Sequence, residues 1–342
     1  MLSRRTFVKA GAVAAASSTV AAPFVISPAR AQAVTLKMQG FLPSSAAPQK
    51  AFEKFGADVT AKSGGKLTIQ VLPGGGAVAV TETLNAMQAG ILDGHYTAPS
   101  FFAGRDAGFT VLGDQGPSFD TVDLRDRWFT EADGLAVARA QYAKFGVHMV
   151  APVFWASEHI PARKALNGVE DLKGLKIRVP PGLIAEIIGK AGAAVVNLPG
   201  GEVFNALQSG VIDATDWASP ALNQEVGLYR AAKFSVNAFH SMPTTDIAFA
   251  KSKWDALPAD MKALIEAEAK AMSAALKDTL AKADADALDK MKADGVTVVT
   301  WSKEEVAKLR GFTSAVQDDL AGKNANAKAV VDSLRAFQKK VG

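Results

Sequence analysis

The residue types that most often carry enzymatic chemistry are few in this chain, and their spacings do not cooperate. No two of the histidines His95, His148, His159 and His240 have the i, i+4 separation that lets one helix face present both rings to a metal. No Gly-x-Ser-x-Gly nucleophile turn occurs. There is no cysteine, which excludes thiolate nucleophiles, thiolate metal sites and disulfides. Gly182 to Lys190 has a superficial likeness to a P-loop, but the spacing is wrong and Ala191 stands where Ser or Thr must hold magnesium. The turn Gly74-Gly75-Gly76-Ala77-Val78-Ala79 does fit G-x-G-x-x-[G/A] after an apolar run, with Asp93 about where a ribose-binding acid would stand. It supports an alternative reading as an exported dinucleotide- or flavin-dependent oxidoreductase. Pro73 before the glycines, and a second turn of the same kind without the fingerprint, favour a structural role.

That second turn belongs to a repeat. Leu84 to Gly94 (LNAMQAGILDG) matches Phe204 to Ala214 (FNALQSGVIDA) at five of eleven positions, with conservative changes elsewhere. Leu-Pro-Gly-Gly precedes each, at 72–75 and 198–201, and each of those ends a β-rich run. The unit reads strand, Gly-rich turn, helix, glycine cap, strand. Gly90 and Gly210 occupy the left-handed cap position, and Ile91-Leu92 and Val211-Ile212 are expected to begin buried strands. Two such units predict an α/β chain of two similar lobes, with a ligand cleft at the carboxyl ends of the strands.

Other elements follow from periodicity. Thr35 to Met38 alternates as a first strand. Gln49 to Ser63 is expected to be a helix with Ala51, Phe52, Phe55 and Val59 on one face, and Thr121 to Phe145 a second helical region. From Pro258, a favourable first helical position, to Asp294 the apolar stripe Met261, Leu264, Ile265, Ala269, Met272, Leu276, Leu280, Leu288 and Met291 predicts a helix about 55 Å long, enough to span both lobes. Ser302 and Glu305 read as a capping box for the last helices.

At the amino terminus, Ser3-Arg4-Arg5-Thr6-Phe7-Val8-Lys9, a weakly apolar run and Ala29-Arg30-Ala31 compose a twin-arginine export signal over residues 1–31. Ala31-Gln32-Ala33 offers a second cleavage site. Arg4, Arg5, Lys9 and Arg30 lie in this segment, which has no acid. Removing those four from the 38 basic residues leaves 34, equal to the 34 acids. The net +4 therefore belongs to the signal, and no nucleic-acid surface is implied. The chain divides into the signal at 1–31, lobe I at 32–150 with a return strand at about 244–256, lobe II at 151–243, and a spanning helix with C-terminal helices at 257–342.

Two longer motifs carry a family likeness. Asp171-Leu172-Lys173-Gly174-Leu175-Lys176-Ile177-Arg178 resembles the D-L-K-G-x-K-[IF]-R motif of DctP-type solute-binding proteins, which serve tripartite ATP-independent periplasmic (TRAP) transporters. Pro199 to Asp213 is similar to the family's second motif, at the family's spacing. The resemblance implies an α/β clamshell of the two-lobed periplasmic binding protein kind, which captures a small organic anion in the periplasm and passes it to membrane permease subunits. It implies no catalysis and no required cofactor, and some relatives form a homodimer through C-terminal helices. Arg178 corresponds to the arginine that grips the ligand carboxylate, a role suited to a guanidinium fork that keeps its proton.

Asp213 to Trp217 resembles the D-A-[TA]-E-W stretch of the branch that binds 2-oxo and 2-hydroxy monocarboxylates, which implies ligand contacts for Asp216 and Trp217. In that branch a metal ion takes part, here Na or Ca held by Asp216 and the Trp217 backbone. An unscreened Asp216 at about 4 Å from a bound carboxylate would repel it by roughly 4 kcal/mol at an effective dielectric near 20. It must therefore accept a hydrogen bond from the ligand, hold a bridging cation or point away. Ser157-Glu158-His159 stands where the branch has a glutamine metal ligand, making Ser157 and Glu158 candidates around the ligand. His240, where the chain crosses back between lobes, is a candidate donor. Phe101-Phe102, after the first repeat's strand, is a candidate cover, Phe102 foremost, and Gln39, after the first strand, a further polar contact.

Overall fold

The computed structural model describes residues 33–341; the segment expected to be a twin-arginine signal, 1–31, lies outside the described residues. Lobe I begins with β1 (Val34–Gln39), α1 (Ala47–Lys62), β2 (Leu67–Leu72), α2 (Thr83–Gln88) and β3 (Gly94–Thr97). It continues with α3 (Ala107–Gly113), α4 (Val122–Glu131), α5 (Gly134–Ala143) and β4 (Val147–Val153). Lobe II follows with β5 (Ile160–Ala162), β6 (Lys176–Arg178), α6 (Leu183–Lys190), β7 (Ala194–Val196), α7 (Val203–Ser209) and β8 (Ala214–Thr215). The short helices α8 (Pro220–Glu225) and α9 (Leu228–Ala231) and strand β9 (Phe234–Asn237) complete its first pass. The chain returns through β10 (Thr245–Ala250), α10 (Lys251–Ala256) and α11 (Ala259–Ala293), then β11 (Thr297–Thr300), α12 (Lys303–Lys323) and α13 (Ala325–Val341).

The strands form two sheets. One has the order β2-β1-β3-β10-β4 and the other β11-β9-β5-β8-β6-β7. In each, the repeat builds the same parallel triplet: β1 lies between β2 and β3, and β6 lies between β7 and β8. The repeated aspartates do the same work in both. Asp93 accepts from the Lys37 amide of β1 at 2.8 Å, and Asp213 from the Lys176 amide of β6 at 3.1 Å. Gly90 and Gly210 are left-handed, with φ of 72° and 78°. The strands begin later than the apolar pairs suggest, at Gly94 and Ala214. Ile91 and Leu92 both bond back to the Ala86 carbonyl, so the pair forms a turn after the helix. Leu92 and Ile212 are buried, but Ile91 and Val211 are 50% and 57% exposed.

Burial explains the helices. Phe52, Phe55 and Val59 of α1 pack with Leu36 and Met38 of β1 and with Ile265, Ala269 and Met272 of α11. Thr121 to Phe145 is two helices rather than one, because Ala132 is extended at the junction. A side chain at Gly134 would strike the Trp128 ring at 2.7 Å, so glycine lets α5 restart against that indole. At 1.5 Å per residue α11 is about 52 Å long. It packs in the lobe I core up to Leu280 and meets Tyr229 and Val296 of lobe II through Met291. The C-terminal region divides between the lobes. β11 adds to the lobe II sheet beside β9, while Val330, Val331, Leu334 and Phe337 of α13 lie in the lobe I core. Ser302 caps α12 through the Glu305 amide, but the Glu305 carboxylate does not reach back; it accepts from the Val169 amide at 2.8 Å and docks a lobe II loop.

Besides α11 and the α12–α13 return, two extended segments cross between the lobes, 154–159 after β4 and 238–244 before β10. Arg125, 1% exposed, binds both. Its Nη1 donates to the Trp155 carbonyl at 2.9 Å and the Pro243 carbonyl at 2.5 Å, with Asp126 as counter-ion at 2.7 Å.

The Gly74–Ala79 turn is a structural turn. Its amides at Gly74 and Gly76 bond to the Leu42 and Pro73 carbonyls, and those at Ala77 and Val78 bond to Gln39 Oε1 at 2.8 and 3.0 Å. Gln39 Nε2 donates to the Val78 carbonyl at 2.9 Å. A phosphate would need these amides free, so the dinucleotide reading finds no cradle here. Gln39→Ala is expected to lower stability by about 1–3 kcal/mol in urea denaturation, because it strands three main-chain groups. Unchanged stability would show that the pin is not needed.

Candidate functional site

Arg178 is the last residue of β6. Ile177 points into the lobe II core, so Arg178 takes the opposite face at the strand's carboxyl end, where Pro180 and Pro181 stop the sheet. Its Nε donates to the Leu198 carbonyl at 3.2 Å and its Nη1 to the Asp216 carbonyl at 2.9 Å. The guanidinium lies 5.2 Å from the Trp217 ring centre. Although buried, Arg178 forms no salt bridge among the described residues, in contrast to Arg125 with Asp126. Burial lowers its pKa while the carboxyl groups of Asp216 and Glu158 oppose the shift; an arginine remains a cation throughout.

Asp216 and Trp217 follow β8, whose Thr215 pairs with Arg178, and the Asp216 amide bonds to the Arg178 carbonyl at 2.8 Å. The half-buried Trp217 ring rests on the Leu-Pro-Gly-Gly turn: a Cβ at Gly200 would lie 2.7 Å from Trp217 Cη2. The Asp216 carboxylate points toward the second crossing segment, where His240 Nε2 meets Oδ1 at 3.0 Å. Burial pushes Asp216 up, but the His240 contact, the neighbouring Glu158 carboxyl and the Arg178 charge outweigh it and hold its pKa below the ordinary value. This ion is therefore screened from within the protein. His240 Nδ1 is buried with no partner among the described residues.

Glu158 arrives on the first crossing segment. Trp155 Nε1 donates to its Oε1 at 3.2 Å and Ser241 Oγ contacts its Oε2 at 2.8 Å. Burial, with Asp216 and Asp114 nearby, raises its pKa well above the usual carboxyl range. Ser241 Oγ also lies 2.6 Å from Asp114 Oδ2. One hydroxyl proton cannot serve two carboxylates, so a carboxyl proton completes this chain, and Glu158 is its natural holder. Asp114 accepts from the amides of Gly116 at 2.7 Å and Met242 at 3.0 Å, and burial raises its pKa to about 6. Ser157, half-buried beside Glu158, reaches the Ser241 carbonyl at 3.4 Å.

The structure thus gathers Arg178, Asp216, Trp217, His240, Glu158 and Ser157 where the lobes meet. It does not bring in Gln39 or Phe102. Gln39 is fully buried and its amide is spent on the 77–78 turn. Phe102 is fully buried too, stacked 5.7 Å from His95 and edge-on to Phe109; its neighbour Phe101 is the exposed ring. The sequence reading missed Asp114 and Ser241. Their contacts join residues more than 80 positions apart, and no local pattern marks them. It also missed Gly200 as the seat of Trp217, although the repeated Leu-Pro-Gly-Gly was the available signal. For a cation, the Asp216 carboxylate and main-chain oxygens are hard donors of the kind Na or Ca prefers. Among the described residues, no three His, Cys, Asp or Glu side chains gather in a metal-holding group.

The chain has relatives among known proteins. The model of the family "bacterial extracellular solute-binding protein, family 7" (DctP) matches residues 39–324. A monocarboxylate 2-oxoacid-binding periplasmic protein of Nostoc sp. is 27% identical, over 84% of this chain and 80% of its own. The crystal structure of a TRAP periplasmic solute-binding protein from Rhodobacter sphaeroides, in an open apo form, is 33% identical with a TM-score of 0.79, covering 90% of this chain and 99% of that one. A TRAP periplasmic solute-binding protein from Colwellia psychrerythraea, crystallised with calcium and pyruvate, shares the fold at a TM-score of 0.81 and 21% identity, over 90% and 95% of the two chains.

The seating of Trp217 is open to a double-mutant cycle. Gly200→Ala is expected to cost about 1–3 kcal/mol of stability by overpacking. In a Trp217→Phe background, which lacks the atoms that collide, the same change should cost less than about 0.5 kcal/mol. Equal costs in both backgrounds would mean that glycine is not required by the indole.

Proposed function

The chain belongs to the DctP family of bacterial extracellular solute-binding proteins of TRAP transporters, and from that premise we propose that its site captures a small organic monocarboxylate, a 2-oxo or 2-hydroxy acid, for delivery to the membrane permease subunits. The observation that carries this reading is Arg178. A buried guanidinium without a side-chain counter-ion costs several kcal/mol, and a ligand carboxylate is the partner that relieves it. Two guanidinium nitrogens are held by main-chain carbonyls, which fixes the fork and leaves Nη2 for the anion. The Asp216 carboxylate, whose pKa is held below the ordinary value, suits a 2-hydroxyl donor. The 2-oxoacid binding named for the Nostoc relative supports the same class.

Capture and release involve no covalent step. A sodium or calcium ion is proposed as an optional bridge, held by Asp216 and the Trp217 carbonyl together with oxygens of the ligand; it would neutralise the two facing carboxylates. The calcium in the Colwellia structure supports this. The proposed place of work is the periplasm, reached by the twin-arginine route. No described helix is long and apolar enough to cross a membrane.

Calorimetry over a panel of organic acids, with and without sodium and calcium, tests the site. Arg178→Ala is expected to weaken binding by about 30-fold or more, the usual loss when one partner of a buried charged pair is removed. Arg178→Lys should fall between, since a point charge replaces the fork. Wild-type affinity in Arg178→Ala would sink the reading. For export, Arg4→Lys with Arg5→Lys should retain the full-length precursor in the cytoplasm; normal processing in that variant would exclude the twin-arginine route.

A further inference from the structure

The two Leu-Pro-Gly-Gly turns are equivalent in the repeat, and each backs onto an aromatic residue. In lobe II a Cβ at Gly200 would meet the Trp217 ring at 2.7 Å. In lobe I a Cβ at Gly74 would fall 2.6 Å from the main-chain carbonyl of Phe41, just beyond the carboxyl end of β1. The Gly74 amide bonds to the Leu42 carbonyl at 2.8 Å and the Gly40 amide to the Leu72 carbonyl at 2.8 Å, so the turn and the Phe41 segment are laced together. The half-buried Phe41 ring lies 5.2 Å from Tyr96, 5.6 Å from Trp155 and 5.9 Å from Phe101, which is 36% exposed. Trp155 in turn donates to Glu158 at 3.2 Å. Contacts therefore run from the lobe I aromatics through Trp155 to Glu158, whose carboxyl group lies close enough to Asp216 to be raised by its charge.

We infer that Phe41, with Phe101 and Trp155, is the lobe I wall of the binding site and pairs with Trp217 as an aromatic clamp on the body of the ligand. This deepens the proposed carboxylate-binding reading and rests on it. The wall is apolar: the nearest polar side chain on β1, Gln39, has its amide committed to the 77–78 turn. Such a wall rewards burial of hydrocarbon or a flat ring. The Phe41 and Phe101 rings themselves offer no partners for the several hydroxyls of a sugar acid, each of which costs free energy if desolvated unpaired. The ligand class is a monocarboxylate carrying an apolar or planar body larger than a methyl group.

The test is calorimetry of the mature chain with pyruvate, 2-oxoisocaproate, phenylpyruvate and glucuronate, comparing wild type with Phe41→Ala, Phe101→Ala and Arg178→Ala. The wild type should bind 2-oxoisocaproate or phenylpyruvate at least tenfold more tightly than pyruvate, with glucuronate weakest. Phe41→Ala should erase most of that advantage while changing pyruvate affinity less than threefold. Phe101→Ala, at a more exposed ring, should erase part of it and carries the test if Phe41→Ala is unstable. Arg178-dependent binding with no rise along the apolar series, or equal losses for every acid in both phenylalanine variants, overturns the clamp and leaves the carboxylate site standing. Binding that is indifferent to Arg178, or absent for all four acids, overturns both.

Discussion

A single uncompensated charge organises this molecule. Arg178 is withdrawn from water without a carboxylate of its own, and its surroundings read as responses to that fact. Main-chain carbonyls of Leu198 and Asp216 satisfy its donors without neutralising it. The Trp217 ring supplies a polarizable face. The nearest ion, Asp216, is turned toward His240. Glu158, which could add a second negative charge, is pushed by burial and by its acidic neighbours well above the usual carboxyl range. A site arranged in this way keeps its positive charge available for an incoming anion.

The fold supplies this arrangement by using one supersecondary unit twice. In parallel triplets the carboxyl ends of the strands gather on one edge, and the repeat puts that edge at the crossing in both lobes. The crossing segments then contribute what neither lobe has: Trp155, Ser157 and Glu158 on one, His240 and Ser241 on the other. Asp114 bonds to the second crossing from the lobe I side, so the acid cluster is as much a joint as a site.

What was legible in the sequence was what local geometry dictates. Left-handed glycines and the apolar stripe of the long helix follow from spacing, whereas the strand amides held by Asp93 and Asp213 emerged only in the structure. Arg178, Asp216 and Trp217 were legible because they sit within motifs. The errors have physical causes. An apolar pair such as Ile91-Leu92 looks like a strand, but hydrogen bonds to Ala86 turn it. In the tight turn at Pro99–Phe102, adjacent rings point in opposite directions, which decides between Phe101 and Phe102 and cannot be read from composition. Gln39 looks available in sequence because its partners, Ala77 and Val78, lie almost forty residues away. Asp114 and Ser241 are brought together only when both lobes have formed.

The Arg125 tie carries a mechanical consequence. Because one guanidinium holds the Trp155 and Pro243 carbonyls together, sliding one crossing segment past the other would break two charge-assisted bonds. Bending both together breaks neither. The connection therefore behaves as a leaf spring, stiff in shear and compliant in flexure. In a swing of the lobes about the line through that arginine, the two bonds would survive and the residues far from the spring would travel furthest.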